Sequence, residues 1–185
     1  MNKPYIQPLR DYLFNSNDLN VYAIIDSAVD KRIDGHFESD EPQKWILYKD
    51  EKDILDLELR APHLILLDIN NLFTQRIFEE GYGNNWGCFI FSSVGAEELA
   101  EHLKAYTKIY SQEHKQDAYI RFYDPRAMGQ YFPCFSKEES QEFFSKITTI
   151  LVEKEKKPHI LYKYSLQEKS SQVQREEINL NKVLA

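Results

Sequence analysis

What most constrains this chain is a series of short β-branched and aromatic runs separated by longer stretches of helical period. The runs are "VYAIID" (21–26), "WILY" (45–48), "HLILLD" (63–68), "GCFIFS" (87–92), "AYIRFYD" (118–124) and "HILYKY" (159–164). Such an alternation predicts an α/β domain. Between the third and fourth runs, "NNLFTQRIFEEG" has Asn70 or Asn71 to cap a helix and Gly81 to supply a left-handed stop. In "GAEELAEHLKAYTKIYS", Leu99, Leu103, Tyr106 and Tyr110 form one stripe, and Glu97 and Glu98 occupy the dipole-favoured first turn. Ser136 and Glu139 have capping-box spacing, so another helix starts there. "ITTILVEKEKKPHILYKY" reads as two strands joined by a charged, proline-containing turn.

The expectation is a single α/β domain with a mixed sheet flanked by helices and a carboxyl-terminal hairpin. Parallel and antiparallel connections both fit the segment lengths. Residues 1–20 form an amino-terminal helix and lead-in, and residues 21–164 the domain proper. Residues 165–185, without aromatics and with little periodic apolar content, are expected as a polar, solvated tail or marginal helix.

Composition narrows the function classes. The chain of 185 residues, 42% hydrophobic and 14% aromatic, is long enough to bury a core without staples. A net charge of -7 argues against general nucleic-acid binding, which needs a concentrated basic face. Trp45, Trp86 and the many Tyr and Phe residues sit mainly at strand positions, where core packing explains them better than base stacking. No apolar run approaches the ~20 residues of a membrane span. Cys88 and Cys134 lack metal-ligand spacing, and "MNKPYIQPLRDYLF" is too charged and proline-rich for a signal-peptide core, so a cytoplasmic location is expected. The five histidines are scattered, with no pair at zinc-binding spacing. "EEGYGNNWG" follows a helix, not a strand, and lacks the context of a phosphate loop. No metal or cofactor is called for.

One enzymatic reading competes. Asp26, Asp68 and Asp124 each end a core run, and carboxylates gathered at strand ends can hold Mg²⁺ for a phosphotransferase or nuclease. Against it, aspartate commonly ends strands as a cap or turn former, and neither a nucleophile nor a phosphate-binding loop accompanies these three.

The densest polar cluster is "RFYDPR" (121–126). Pro125 suits a first helical position, which makes Asp124 its N-cap and "RAMGQYF" a short helix. Strand alternation puts Tyr119, Arg121 and Tyr123 on one face, with Ile120 and Phe122 on the other. A partly buried Arg121 then needs a carboxylate, for which Asp26 or Asp68 is suited, making a clasp at the strand-to-helix corner. Arg126 is unfavourable with the helix dipole and is the better candidate for contact with a partner.

With "VYAIIDSA", "LELRAPHLILL", "NWGCFIFSS", "ELAEHLKAYTKI" and above all "IRFYDPRAM" in view, the chain resembles the effector adaptor-chaperones of bacterial type VI secretion, a family long catalogued only as a domain of unknown function. The likeness runs from about Val21 to Tyr164. It implies a non-catalytic cytosolic protein that holds a toxic effector and helps load it onto the valine-glycine-repeat spike protein, with no nucleic-acid or membrane partner. Many members carry a further carboxyl-terminal lobe, whereas only a short polar stretch follows "HILYKY" here. In "AMGQYFPCF", Gly129 and Pro133 require the helix after the motif to be short.

Overall fold

A computed structural model describes residues 3–15, 18–48, 60–111, 115–167 and 169–182, the side chains at 109–111 and 117 excepted. His114 lies outside the described residues. The elements run α1 (Ile6–Phe14), β1 (Asn20–Asp26), α2 (Arg32–Asp40), β2 (Lys44–Ile46), β3 (Pro62–Leu66), α3 (Leu72–Arg76), β4 (Gly87–Ser92) and α4 (Ala96–Lys104). They continue with β5 (Lys108–Ser111), β6 (Gln116–Tyr119), α5 (Met128–Tyr131), α6 (Lys137–Phe143), β7 (Thr149–Lys154), β8 (Lys157–Gln167) and β9 (Gln172–Asn179). Seven strands form one sheet in the order β2-β3-β1-β4-β7-β8-β9, and β5 and β6 make a separate hairpin.

The α/β domain, its helices and the β7–β8 hairpin are as expected. The sheet is not mixed: every pairing in it is antiparallel. The helical connections explain how both facts hold. β1–α2–β2 and β3–α3–β4 do join strands of the same direction, as helical crossovers usually do. Each such pair, however, is split by a strand of opposite direction, β3 in the first case and β1 in the second.

Strand alternation produces a core on each face. On one, Tyr22, Ile24, Leu64, Ile90, Ile150 and Val152 lie beneath Leu99 and Leu103 of α4 together with Phe122, Phe132 and Phe143. On the other, Val21, Ala23, Ile25, Ile65, Phe89 and Leu151 lie beneath Leu9 and Leu13 of α1, Ile33 and Phe37 of α2, and Phe73 of α3. Near-continuous hydrophobicity in β1 and β4 follows from this two-sided burial.

Local chemistry sets most element ends. Asn71 caps α3, accepting from the Phe73 amide at 2.8 Å and the Thr74 amide at 3.3 Å. That helix runs into a single π turn over Ile77–Gly81. Gly81 is not a left-handed stop; it leaves room for the Trp86 indole, one atom of which would lie 2.6 Å from a Cβ at this position. The capping box is formed, with Ser136 Oγ accepting from the Glu139 amide and the Glu139 carboxylate from the Ser136 amide. Helix α4 ends at Lys104, ahead of Tyr106 and Tyr110. Tyr106 still packs edge-on against Phe143, and Tyr110 belongs to β5.

The expected tail is corrected most. β8 continues to Gln167, and residues 172–179 form β9, paired with β8 along its length.

Candidate functional site

The motif does not continue a strand to Asp124. β6 stops at Tyr119, and the Asp124 amide donates to the Arg121 carbonyl at 3.0 Å, closing a turn. Because of that turn Phe122 and Tyr123 are both buried instead of alternating, at 0% and 2% exposure, with their rings 5.5 Å apart and edge-on. Two adjacent aromatics thus anchor the corner to the core under α4.

Asp124 is not a helix N-cap either. Its carbonyl accepts from the amides of Ala127 and Met128, both at 3.0 Å, and α5 begins only at Met128. Pro125 is buried in the intervening turn. The Asp124 carboxylate faces Arg126: Oδ1 accepts from the Arg126 amide and Nε, both at 2.9 Å, and Oδ2 from Nη2 at 2.7 Å. Burial pushes this carboxyl up, but the Arg126 hydrogen bonds and charge outweigh it, leaving its pKa below the ordinary aspartate value. Arg126 itself is about half exposed.

Arg121 reaches Asp26, with Nη1 donating to Oδ2 at 3.1 Å. The pair is lopsided: the Asp26 side chain is 6% exposed and that of Arg121 54%. Asp26 Oδ1 also accepts from the Ala28 amide at 3.0 Å. Burial raises the Asp26 pKa, with Arg121 the chief opposing influence. The Tyr123 hydroxyl is likewise pushed up, by burial first and then by the Asp26 charge.

Asp68 takes no part in this corner. β1 and β3 are antiparallel, so Asp26 stands opposite Pro62, while Asp68 lies past the Tyr22–Leu66 pair at the other end of the sheet. There it is exposed and accepts from the Asn70 amide at 2.8 Å. Acids that end successive runs would gather at one edge only if those strands were parallel. The three-aspartate arrangement required by a metal-dependent phosphotransferase or nuclease is therefore not assembled.

Two neighbours of the corner escaped sequence reasoning. Tyr48 packs against Tyr119, ring centroids 4.8 Å apart, and so extends an outward-facing surface of Tyr119, Arg121 and Arg126. Beside Asp26, Ser27 Oγ lies 3.0 Å from His63 Nδ1. Burial, aided by the Lys44 charge, lowers the His63 pKa to about 4, so the imidazole is neutral at pH 7. Both members of this pair are buried, out of reach of an external substrate. No local pattern announces either contact, because each joins residues far apart in sequence.

An antiparallel α/β domain with an arginine-rich, aromatic-anchored corner is thus the class of protein defined here. Residues 21–142 match the family described as a domain of unknown function, DUF4123, and the chain belongs to that family. No curated protein and no solved structure matches it. Among the described residues, no helix is long and apolar enough to cross a membrane.

Proposed function

We propose that this protein is a non-catalytic adaptor that binds a secreted toxic effector and helps load it onto the valine-glycine-repeat spike protein of a type VI secretion system, acting in the bacterial cytoplasm. The observation that carries this reading is the corner's construction. Phe122 and Tyr123 are sunk in the core, while Arg121, Arg126 and Tyr119 face outward on the rigid base they provide. Arginine and tyrosine are the side chains that dominate binding energy at protein interfaces, and pre-ordering them lowers the entropic cost of association. The family resemblance carried by "IRFYDPRAM" supports the same reading, and the effector and spike are inferred as partners from it.

Affinity purification of the tagged full chain from its native cell, followed by mass spectrometry, tests the proposal. Expected companions are a toxin and a spike protein encoded by neighbouring reading frames. Recovery of the chain alone, in cells assembling the secretion apparatus, overturns it. Calorimetric titration with Mg²⁺ and Mn²⁺ checks the enzymatic alternative, which requires binding that is lost in Asp26→Asn, Asp68→Asn and Asp124→Asn.

A further inference from the structure

β9 is the last strand of the sheet, bonded to β8 and to no other strand among the described residues. Alternate residues of this eight-residue strand turn their backbone N–H and C=O away from β8, a free row of donors and acceptors. Along this strand, on the same face as the motif corner, lies a groove of about 460 Å³. One wall is the segment launched by the motif, with Gly129, Phe132 and Phe135; the opposite wall is β9 itself, with Val173 and Arg175. Gly129 borders both floor and far wall: a Cβ there would stand in ordinary contact with the Tyr164 hydroxyl, at 3.4 Å, and with Arg175 Nη1, at 3.7 Å.

The lining is chemically one-sided. It combines aromatic and aliphatic surface with one cation, Arg175, and includes no carboxylate. The Arg175 guanidinium lies over the Tyr162 ring, 4.6 Å from its centroid, and hydrogen-bonds the Tyr164 hydroxyl. Glu177, the carboxylate on the same face of the strand, is itself paired with Lys154 at 2.6 Å, so the face keeps a net positive charge. Val173 and Arg175 are two apart, so both project to one face of the strand. A strand added at the outer edge would set its own alternate side chains beside theirs.

We propose that the free edge of β9 and the adjoining groove bind an extended segment of a partner polypeptide by strand addition, the segment's groove-facing side chains being apolar beside Val173 and acidic beside Arg175. Backbone pairing supplies affinity without regard to sequence, while the groove selects an apolar residue and an acidic residue two positions apart. Charge complementarity fixes the sign, because a basic segment would meet Arg175 as a like charge. Only the identity of the partner, an effector or the spike, rests on the adaptor reading; the binding chemistry does not.

A phage-displayed library of random eight-residue segments, selected on the immobilised full chain, is the probe. Enriched sequences should place Asp or Glu two residues from Val, Ile, Leu or Phe. A synthetic peptide of that sequence should lose about tenfold in affinity toward Arg175→Glu, the scale of one charge-assisted contact. Val173→Lys should weaken it as well, and circular dichroism verifies that both variants fold. Methylating alternate peptide amides should abolish binding in one phase and spare it in the other, and amide exchange should slow over residues 172–179. No enrichment, undiminished binding by both variants, or tolerance of methylation in both phases overturns the proposal. A native-cell pull-down separates this outcome from the adaptor reading. If Arg175→Glu retains effector and spike as fully as wild type, the groove assignment fails while the adaptor stands. If wild type retains neither, the adaptor reading fails, and the peptide selection still decides the groove.

Discussion

Asp26 and Glu153 are buried carboxylates at the same end of the central sheet, one on each face, and they are held in opposite ways. Asp26, on the α4 face, relies on a guanidinium that is half in solvent and on one amide. Glu153 lies beyond Leu151 on the other face, where Oε1 accepts from the Asn85 amide at 2.6 Å and Oε2 from the Gly83 amide. Those amides turn inward because Gly83 and Asn85 adopt positive φ, 88° and 57°. The same loop is tied down by Lys3, which donates to the Glu79 and Tyr82 carbonyls, and by the Tyr82 hydroxyl on the Pro158 carbonyl. A carboxylate gripped by main chain locks a loop in place. One served by a surface guanidinium leaves that cation partly available to something else.

The largest expected effect falls on the main-chain grip. Glu153→Ala strands two loop amides and should cost about 3 kcal/mol, since hydrogen bonds to a charged group contribute roughly 1.5–3 kcal/mol each and are not additive. Glu153→Gln keeps one acceptor oxygen and should cost about 1 kcal/mol. Urea denaturation of both variants measures this. If Glu153→Ala unfolds at the wild-type midpoint, the grip contributes nothing and the comparison collapses.

Arg121→Ala should come next, at about 1–2 kcal/mol, between the values typical of exposed pairs and of fully buried ones. That corresponds to a Tm lower by roughly 2–8 °C for a chain of this size. Adding Asp26→Asn should recover part of the loss, because the cost is chiefly that of a buried charge left without its cation. Strict additivity in this double-mutant cycle would show that the two side chains do not interact.

Acid titration sharpens the contrast further. Burial holds the Asp26 and Glu153 pKa values above their ordinary range. The folded state therefore binds these protons more tightly than the unfolded state does. Each group's contribution is complete below its unfolded pKa and is lost as pH rises through its folded value. Removing Arg121 takes away the main influence opposing the Asp26 shift, so in Arg121→Ala the Asp26 pKa should move higher still. The deficit of that variant should shrink below the ordinary aspartate value of about 4, where Asp26 is protonated in both proteins. Carbon-detected NMR of the carboxyl resonances gives the pKa values, and urea melts across acid pH give the deficit. An unchanged Asp26 pKa in Arg121→Ala would mean that the guanidinium is only a bystander.

How legible each region was in the sequence follows from the same difference. β1 and β4 were readable because both faces are buried and their apolar runs are continuous. The Asn71 cap and the Ser136–Glu139 box were readable because a cap is a local event. Arg121 with Asp26 was within reach because a cation among aromatics calls for a carboxylate; choosing Asp26 over Asp68 needed the strand direction. The Glu153 grip left no signal, since its partners are backbone amides. β9 was hidden because an edge strand with "QVQREEIN" is half solvated and puts its two apolar residues, Val173 and Ile178, on opposite faces. "AYIRFYD" misled in the reverse sense: its alternation is interrupted by a turn that buries Phe122 and Tyr123 together.

The smallest stability effect belongs to Arg126. Its hydrogen bonds run to Asp124 alone, two residues away, and Asp124 keeps the Arg126 main-chain amide after the side chain is gone. Arg126→Ala should therefore cost about 1 kcal/mol, less than Arg121→Ala, because Asp124, its side chain 12% exposed, loses the guanidinium but keeps the main-chain amide. Its larger cost should appear in partner binding, because Nε and Nη2 hold Asp124 while the half-exposed guanidinium still faces solvent, where a partner's carboxylate can meet it with little reordering. Thermal melts beside effector capture by Arg121→Ala and Arg126→Ala make the two roles separable. A stable Arg126→Ala with weakened capture supports a clasp at Arg121 and a contact at Arg126. A fully stable Arg121→Ala that fails to capture, beside a normal Arg126→Ala, reverses the roles, and the half-exposed guanidinium above Asp26 becomes the group that meets the partner.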